Sequence, residues 1–177
     1  MSLLRTVEPK NATGAVAAIY EQLQKQMGMV PNGLRIFSAS PYRLEAQAKE
    51  LGYYMRHPTL GSQLTAAIRY TVAAMHGCDY CAVVNGGMLR QAGWPAEVVE
   101  GLVGEPAAAR LEPKDKAMFL LVLKALRTPA QVSQSDVDEL RNLGWNDGDI
   151  FDAVAHGAMS VAFDNILNAF KVTAEGR

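Results

Sequence analysis

Apolar side chains recur three and four residues apart along most of this chain, in runs bounded by glycine and proline. That spacing puts them on one face of a helix, and no run alternates apolar with polar as a half-buried strand would. The first run predicts a helix from about Thr13 to Met27, capped by Thr13, with Val16, Ile19, Tyr20 and Leu23 on its buried face. Gly28-Met-Val-Pro-Asn-Gly breaks it. A short helix follows near Leu34 to Ala39, and Ser40-Pro41 opens another that lasts to about Arg56, before Pro58. Ser62 is placed to cap a helix whose Leu64, Ala67, Ile68, Val72 and Met75 repeat at core spacing, up to Gly77.

The pattern resumes from Cys78 to Gln91 and stops at Gly93; Pro95 begins a short helix to about Leu102. Residues Ala117 to Leu123 are apolar nearly all round, the mark of a central buried helix. Ser133 or Ser135 opens a helix ending near Gly144. Asn146 or Asp147 opens the long last one, where Phe151, Val154, Ala155, Ala158, Ala162 and Ile166 form the apolar stripe. The expected fold is therefore all-α, a single-domain helical bundle over 1–177. Within it we distinguish an arm (1–12), N-terminal helices (13–60), a central core (61–104) and C-terminal helices (105–172).

Composition narrows the partners. Of 177 residues, 49% are apolar and 20% charged, ordinary for a globular chain. With 17 basic against 18 acidic side chains the net charge is -1, and no basic stripe exists to attract nucleic acid. No stretch approaches the roughly 18 consecutive apolar residues of a membrane span, and no secretory leader is evident. Two cysteines are too few for a secreted disulfide framework, so the cytoplasm is the expected compartment.

Those two cysteines are the candidate chemistry. Cys78 and Cys81, in His76-Gly-Cys-Asp-Tyr-Cys, are three apart and share a face of the helix that starts there, with Asn85 one turn further. Unpaired N–H groups at the helix start favour a thiolate at Cys78, and a thiolate is the nucleophile of peroxide reduction and disulfide exchange. Cys81 stands close enough to resolve a sulfenic acid. Asp79 opposes the thiolate, and a protonated His76 would support it. Plain packing of two buried cysteines is the competing account. Zinc would need two of His57, His76 and His156 beside the thiols; with no second cysteine pair and no spaced histidine pair, no metal is expected. Gly86-Gly87 inside a helical pattern means either close approach of another helix or subunit, or a kink.

The segment Leu64-Thr-Ala-Ala-Ile-Arg-Tyr-Thr-Val-Ala-Ala-Met-His-Gly-Cys-Asp-Tyr-Cys-Ala-Val-Val-Asn resembles the core of the alkylhydroperoxidase D-like family, whose superfamily includes the carboxymuconolactone decarboxylases. Gly28-Met-Val-Pro-Asn with Ser40-Pro41, and the run from Asp152 to Phe170, are similar to its peroxidase-related branch. The resemblance implies a thiol–disulfide redox protein that reduces hydroperoxides or exchanges disulfides through Cys78 and Cys81, supplied by an external dithiol protein, with no cofactor and as a homo-oligomer. The family carries a glutamate about three turns before the cysteines and a histidine four residues after them; here those positions are Ala66 and Asn85, and neither moves a proton near neutral pH. Tyr80 stands where some members have a histidine. Tyr70, His76, Tyr80 and Asn85 are the auxiliary candidates, with His156 if the last helix approaches. The family's histidine position contacts the second cysteine, so the resemblance implies Cys81 as the attacking thiol and Cys78 as its partner, whereas the helix start would favour Cys78. Two other functions remain open: a decarboxylase-like lyase on a small acid, using Arg69 and His76, and a non-catalytic binding subunit.

Overall fold

The computed structural model describes residues 2–176. Among them there is no strand, and the chain groups into two compact units. One comprises the chain up to His57 together with the stretch from Ile166 onward; the other is Pro58–Asn165.

In the first unit, α1 (Gly14–Met27) starts after Thr13 and buries Val16, Ile19, Tyr20 and Leu23, the face its spacing predicts. Gly28 ends it at φ 75°, a left-handed conformation that costs glycine nothing. The short α2 (Asn32–Arg35) continues into a 3₁₀ turn, Ile36–Ala39, and α3 (Pro41–Met55) begins with its proline in the first turn. The Tyr20 hydroxyl donates to the Val7 carbonyl (3.0 Å) and the Val7 N–H to the Ser38 hydroxyl (2.8 Å), which ties the N-terminal arm down.

The second unit carries the thiols. α4 (Ser62–His76) buries Leu64, Thr65, Ala66, Ala67, Ile68, Tyr70, Thr71, Val72 and Ala73, while Met75 is half-buried. Its N-cap is Gly61, so Ser62 is the first helical residue and its side chain makes no cap bond. Gly77, at φ 61°, turns the chain sharply, and α5 (Asp79–Gln91) folds back along α4 with Cys78 as its N-cap. α6 (Ala96–Gly101) follows Pro95. The apolar run at 117–123 sits inside a longer helix, α7 (Pro113–Arg127), with Met118, Phe119, Leu121, Val122 and Leu123 buried. α8 (Gln134–Asn142) opens with a capping box between Ser133 and Asp136. Asp136 is also held by Lys124 of α7 at 2.6 Å.

α9 (Asp147–Ala169) is the long last helix, and its first turn is closed by the Asp149 N–H donating to the Asn146 side chain at 2.9 Å. The sequence stripe proves displaced. Phe151 is 72% exposed and Ala158 and Ala162 are exposed, whereas Ile150, Ala153, Gly157, Asp164 and Leu167 are buried. The buried face lies one residue back, about 100° round the helix. Its heptad spacing is regular, but its members include a glycine and a carboxylate, which an apolar count passes over. Gly157 explains the approach: a Cβ there would lie 2.7 Å from Val122 Cγ1 and 3.0 Å from Leu126 Cδ1 of α7. Only a residue without a side chain lets the helices come so near. No described helix is long and apolar enough to cross a membrane.

Candidate functional site

Three elements converge on the cysteines. The Gly77 turn delivers Cys78 to the start of α5, and the helical rise stacks Cys81 above it, both as free, buried thiols. From α9, seven residues beyond Gly157 and so on the same face, Asp164 enters at 2% exposure. The ligand atoms of Cys78, Cys81 and Asp164 all lie within 4.8 Å of one another. Asp164 Oδ2 is buried with no hydrogen-bond partner.

Three groups that each become anionic on losing a proton cannot all ionise in a buried site. Burial pushes the Asp164 carboxyl above its usual range, against the pull of the Cys81 and Cys78 thiols and of His76. The Cys78 thiol is drawn down, first by hydrogen bonding from the Cys81 thiol, against the cost of burial; the Cys81 backbone N–H helps and Asp164 opposes. Cys81 is pushed up, first because it donates to Cys78, then by burial and by Asp164. The site therefore favours ionisation of Cys78, at the helix start, and opposes that of Cys81 and Asp164.

Asp164 is the residue sequence reasoning passed over, because an acid in a helical run reads as a solvated one. Its seven-residue spacing from Gly157 was the available signal. Asn85 does not face the sulfurs with its amide: its Nδ2 donates to the Cys81 carbonyl (2.8 Å) and its Oδ1 accepts from Arg69 Nε (2.7 Å). Tyr70 packs its ring over Gly86, where a Cβ would lie 3.0 Å from Cε2, and its hydroxyl is raised by burial, with Glu100 and Arg90 as the charges acting on it. Gly86 thus answers to close helix approach; a Cβ at Gly87 would meet nothing within 4 Å. His76 is exposed at the end of α4, near enough to favour the Asp164 carboxylate. Tyr80 is buried on α5, and Asp79 points outward. His156, buried on α9, meets Arg69, with Nε2 3.2 Å from Nη1.

Cys78, Cys81 and Asp164 also form, among the described residues, the one group of three that could jointly grip a metal ion. Two sulfurs and a carboxylate would suit zinc, with a fourth ligand to be supplied from outside the trio.

No family model matches the chain, and no curated protein matches it by sequence. Solved structures do. An uncharacterized peroxidase-related protein from Silicibacter sp. TM1040 superposes with a TM-score of 0.83 at 24% identity, over 99% of this chain and 92% of that one. A second, described as an alkylhydroperoxidase AhpD core and uncharacterized peroxidase-related protein from Ralstonia eutropha JMP134, gives 0.84 at 21% identity, over 99% and 93%. The debrominase Bmp8, solved with 2,3,4-tribromopyrrole, gives 0.76 at 14%, over 98% and 92%. Identities this low speak to architecture, and the architecture is plain: this chain has the alkylhydroperoxidase D-like fold of the peroxidase-related proteins.

Proposed function

We propose that the protein is a thiol-dependent hydroperoxide reductase in which Asp164 takes the place of the family's missing proton relay. The observation that carries this is the buried trio of Cys78, Cys81 and Asp164 within 4.8 Å, with one carboxylate oxygen unpartnered. The Cys78 thiolate attacks the outer oxygen of the hydroperoxide, the O–O bond breaks, and Asp164 gives its proton to the departing alkoxide. Cys78 is then a sulfenic acid and Asp164 a carboxylate. That carboxylate takes the Cys81 proton and passes it to the hydroxide that leaves as Cys81 sulfur attacks Cys78 sulfur. The products are an alcohol, water and a Cys78–Cys81 disulfide. An external dithiol restores the thiols and supplies the two protons. This makes Cys78 the attacking thiol, the choice its helix-start position favours.

Two free thiols suit a reducing compartment, and we assign the protein to the cytoplasm. We also infer self-association, because Phe151 stands 72% exposed beside an apolar hollow formed with Val137, Ile150 and Val154. Sedimentation at two concentrations reads this directly.

Peroxide consumption with dithiothreitol as reductant tests the main reading. Wild-type protein is expected to consume organic hydroperoxide and Cys78→Ser to lose that activity. Equal rates would remove the thiols from the reaction, leaving the lyase and the non-catalytic subunit to be tried.

A further inference from the structure

Beside the trio lies a cation without an anion. Arg69, on α4, packs its guanidinium against α5 and α9 and is half-buried. Burial draws its pKa down to about 10. It remains a cation at neutral pH. Its contacts are Asn85 Oδ1 to Nε, His156 Nε2 to Nη1, and the Met88 sulfur, 3.7 Å from Nη2. Among the described residues no carboxylate pairs with it. An arginine only donates, so His156 Nε2 is the acceptor in this contact.

Guanidinium has five N–H groups. Three are used, by Asn85, His156 and weakly by Met88, which leaves one on each terminal nitrogen. A buried cation whose side-chain partners bring it no negative charge is costly unless something anionic completes it. One remaining N–H on each terminal nitrogen is enough to bind the oxygens of a carboxylate. Met88, whose sulfur meets Nη2, is 41% exposed, and Met159, 44% exposed, follows His156 by one turn on α9. Thioethers are adaptable walls for an alkyl body.

We propose that Arg69, fixed by Asn85 and His156, anchors the carboxylate of the substrate. Resting on the thiol reading above, this makes the substrate a small organic hydroperoxide that carries a carboxylate at one end and presents its peroxide to Cys78. Asn85 thereby acquires a role: it ties the anchor to the backbone of the cysteine helix, at the Cys81 carbonyl.

The test uses binding, so that it stands apart from turnover. Reduced full-length protein is titrated with hexanoate and with hexanamide, its uncharged counterpart, by ligand-observed NMR. Hexanoate is expected to bind about tenfold more tightly or better, the size of one good charge-assisted pair. Arg69→Gln is expected to erase the preference, and Arg69→Lys to retain part of it, since the charge persists without the fork. Equal binding of acid and amide by the wild type, or a preference that survives Arg69→Gln, would overturn the proposal; the wild-type comparison needs no variant to fold. If hexanoate is preferred while no hydroperoxide is consumed, the anchor stands and the peroxidase reading falls.

Discussion

Replacing Asp164 by Asn should make the protein more stable and less active. The wild-type carboxyl is 2% exposed, one of its oxygens has no partner, and burial is the leading cause of its raised pKa. A raised folded-state value means that, above about pH 4, the unfolded chain has released this proton while the folded one still holds it. Stability therefore falls as pH rises from the ordinary carboxylate range through the folded-state value of Asp164, and levels off beyond. The slope is at most about 1.4 kcal/mol per pH unit for one proton. Ionising a buried carboxyl, which an amide in its place avoids, costs on the order of 1–3 kcal/mol. For a chain of this size that is roughly 3–10 °C in Tm.

The assay is thermal unfolding of wild type and Asp164→Asn from pH 4 to pH 7. The two should converge at the acid end and separate with rising pH, the variant above. Asp115, whose carboxyl burial also raises, is common to both and cancels in the difference. A pH-independent difference, or a variant less stable at pH 7, would refute the reasoning. Hydroperoxide reduction by the variant should fall by about 10²–10⁴, the usual worth of a positioned acid.

Gly157→Ala should destabilise by about 1–2 kcal/mol, since the overpacking against Val122 and Leu126 outweighs the better helix propensity of alanine; chemical denaturation reads the change. Val122 is fully buried and β-branched, so α9 must shift, and the same variant should lose activity by displacing Asp164. Alkylation of the reduced protein should label Cys78 at lower pH than Cys81, as the opposite directions of their shifts require; mass mapping of partly labelled protein decides this, and the reverse order would return the nucleophile to Cys81. Dialysis against a chelator should leave thiol reactivity and hydroperoxide reduction unchanged, whereas thiols released by chelation would identify the trio as a metal site.

The helices were legible because helix-forming runs end at residues with local mechanisms. Gly28, Gly77 and Pro41 each act through their own backbone, and α1 shows its buried face without help from the rest of the chain. The α9 face was not legible in this way. Its buried positions include His156, Gly157 and Asp164, and the reason to bury them lies on α4, α5 and α7. The thiol pair could be read from its spacing alone. Ala66 and Asn85 stand in the sequence where the resemblance expects two proton carriers, yet acid–base capacity can enter from a distant helix. Arg69 drew notice in the sequence only as a cation near the motif; its lack of an acidic partner is a property of the packed structure.

The central claim is that Cys78 and Cys81 turn over on a hydroperoxide. Intact-mass analysis after one equivalent of an alkyl hydroperoxide tests it most directly. Reduced wild type should lose two hydrogens and both alkylatable thiols, with Cys78 linked to Cys81, and Cys81→Ser should stop with one added oxygen that a sulfenic-acid reagent traps at Cys78. Wild type that keeps its mass and both thiols would contradict the account.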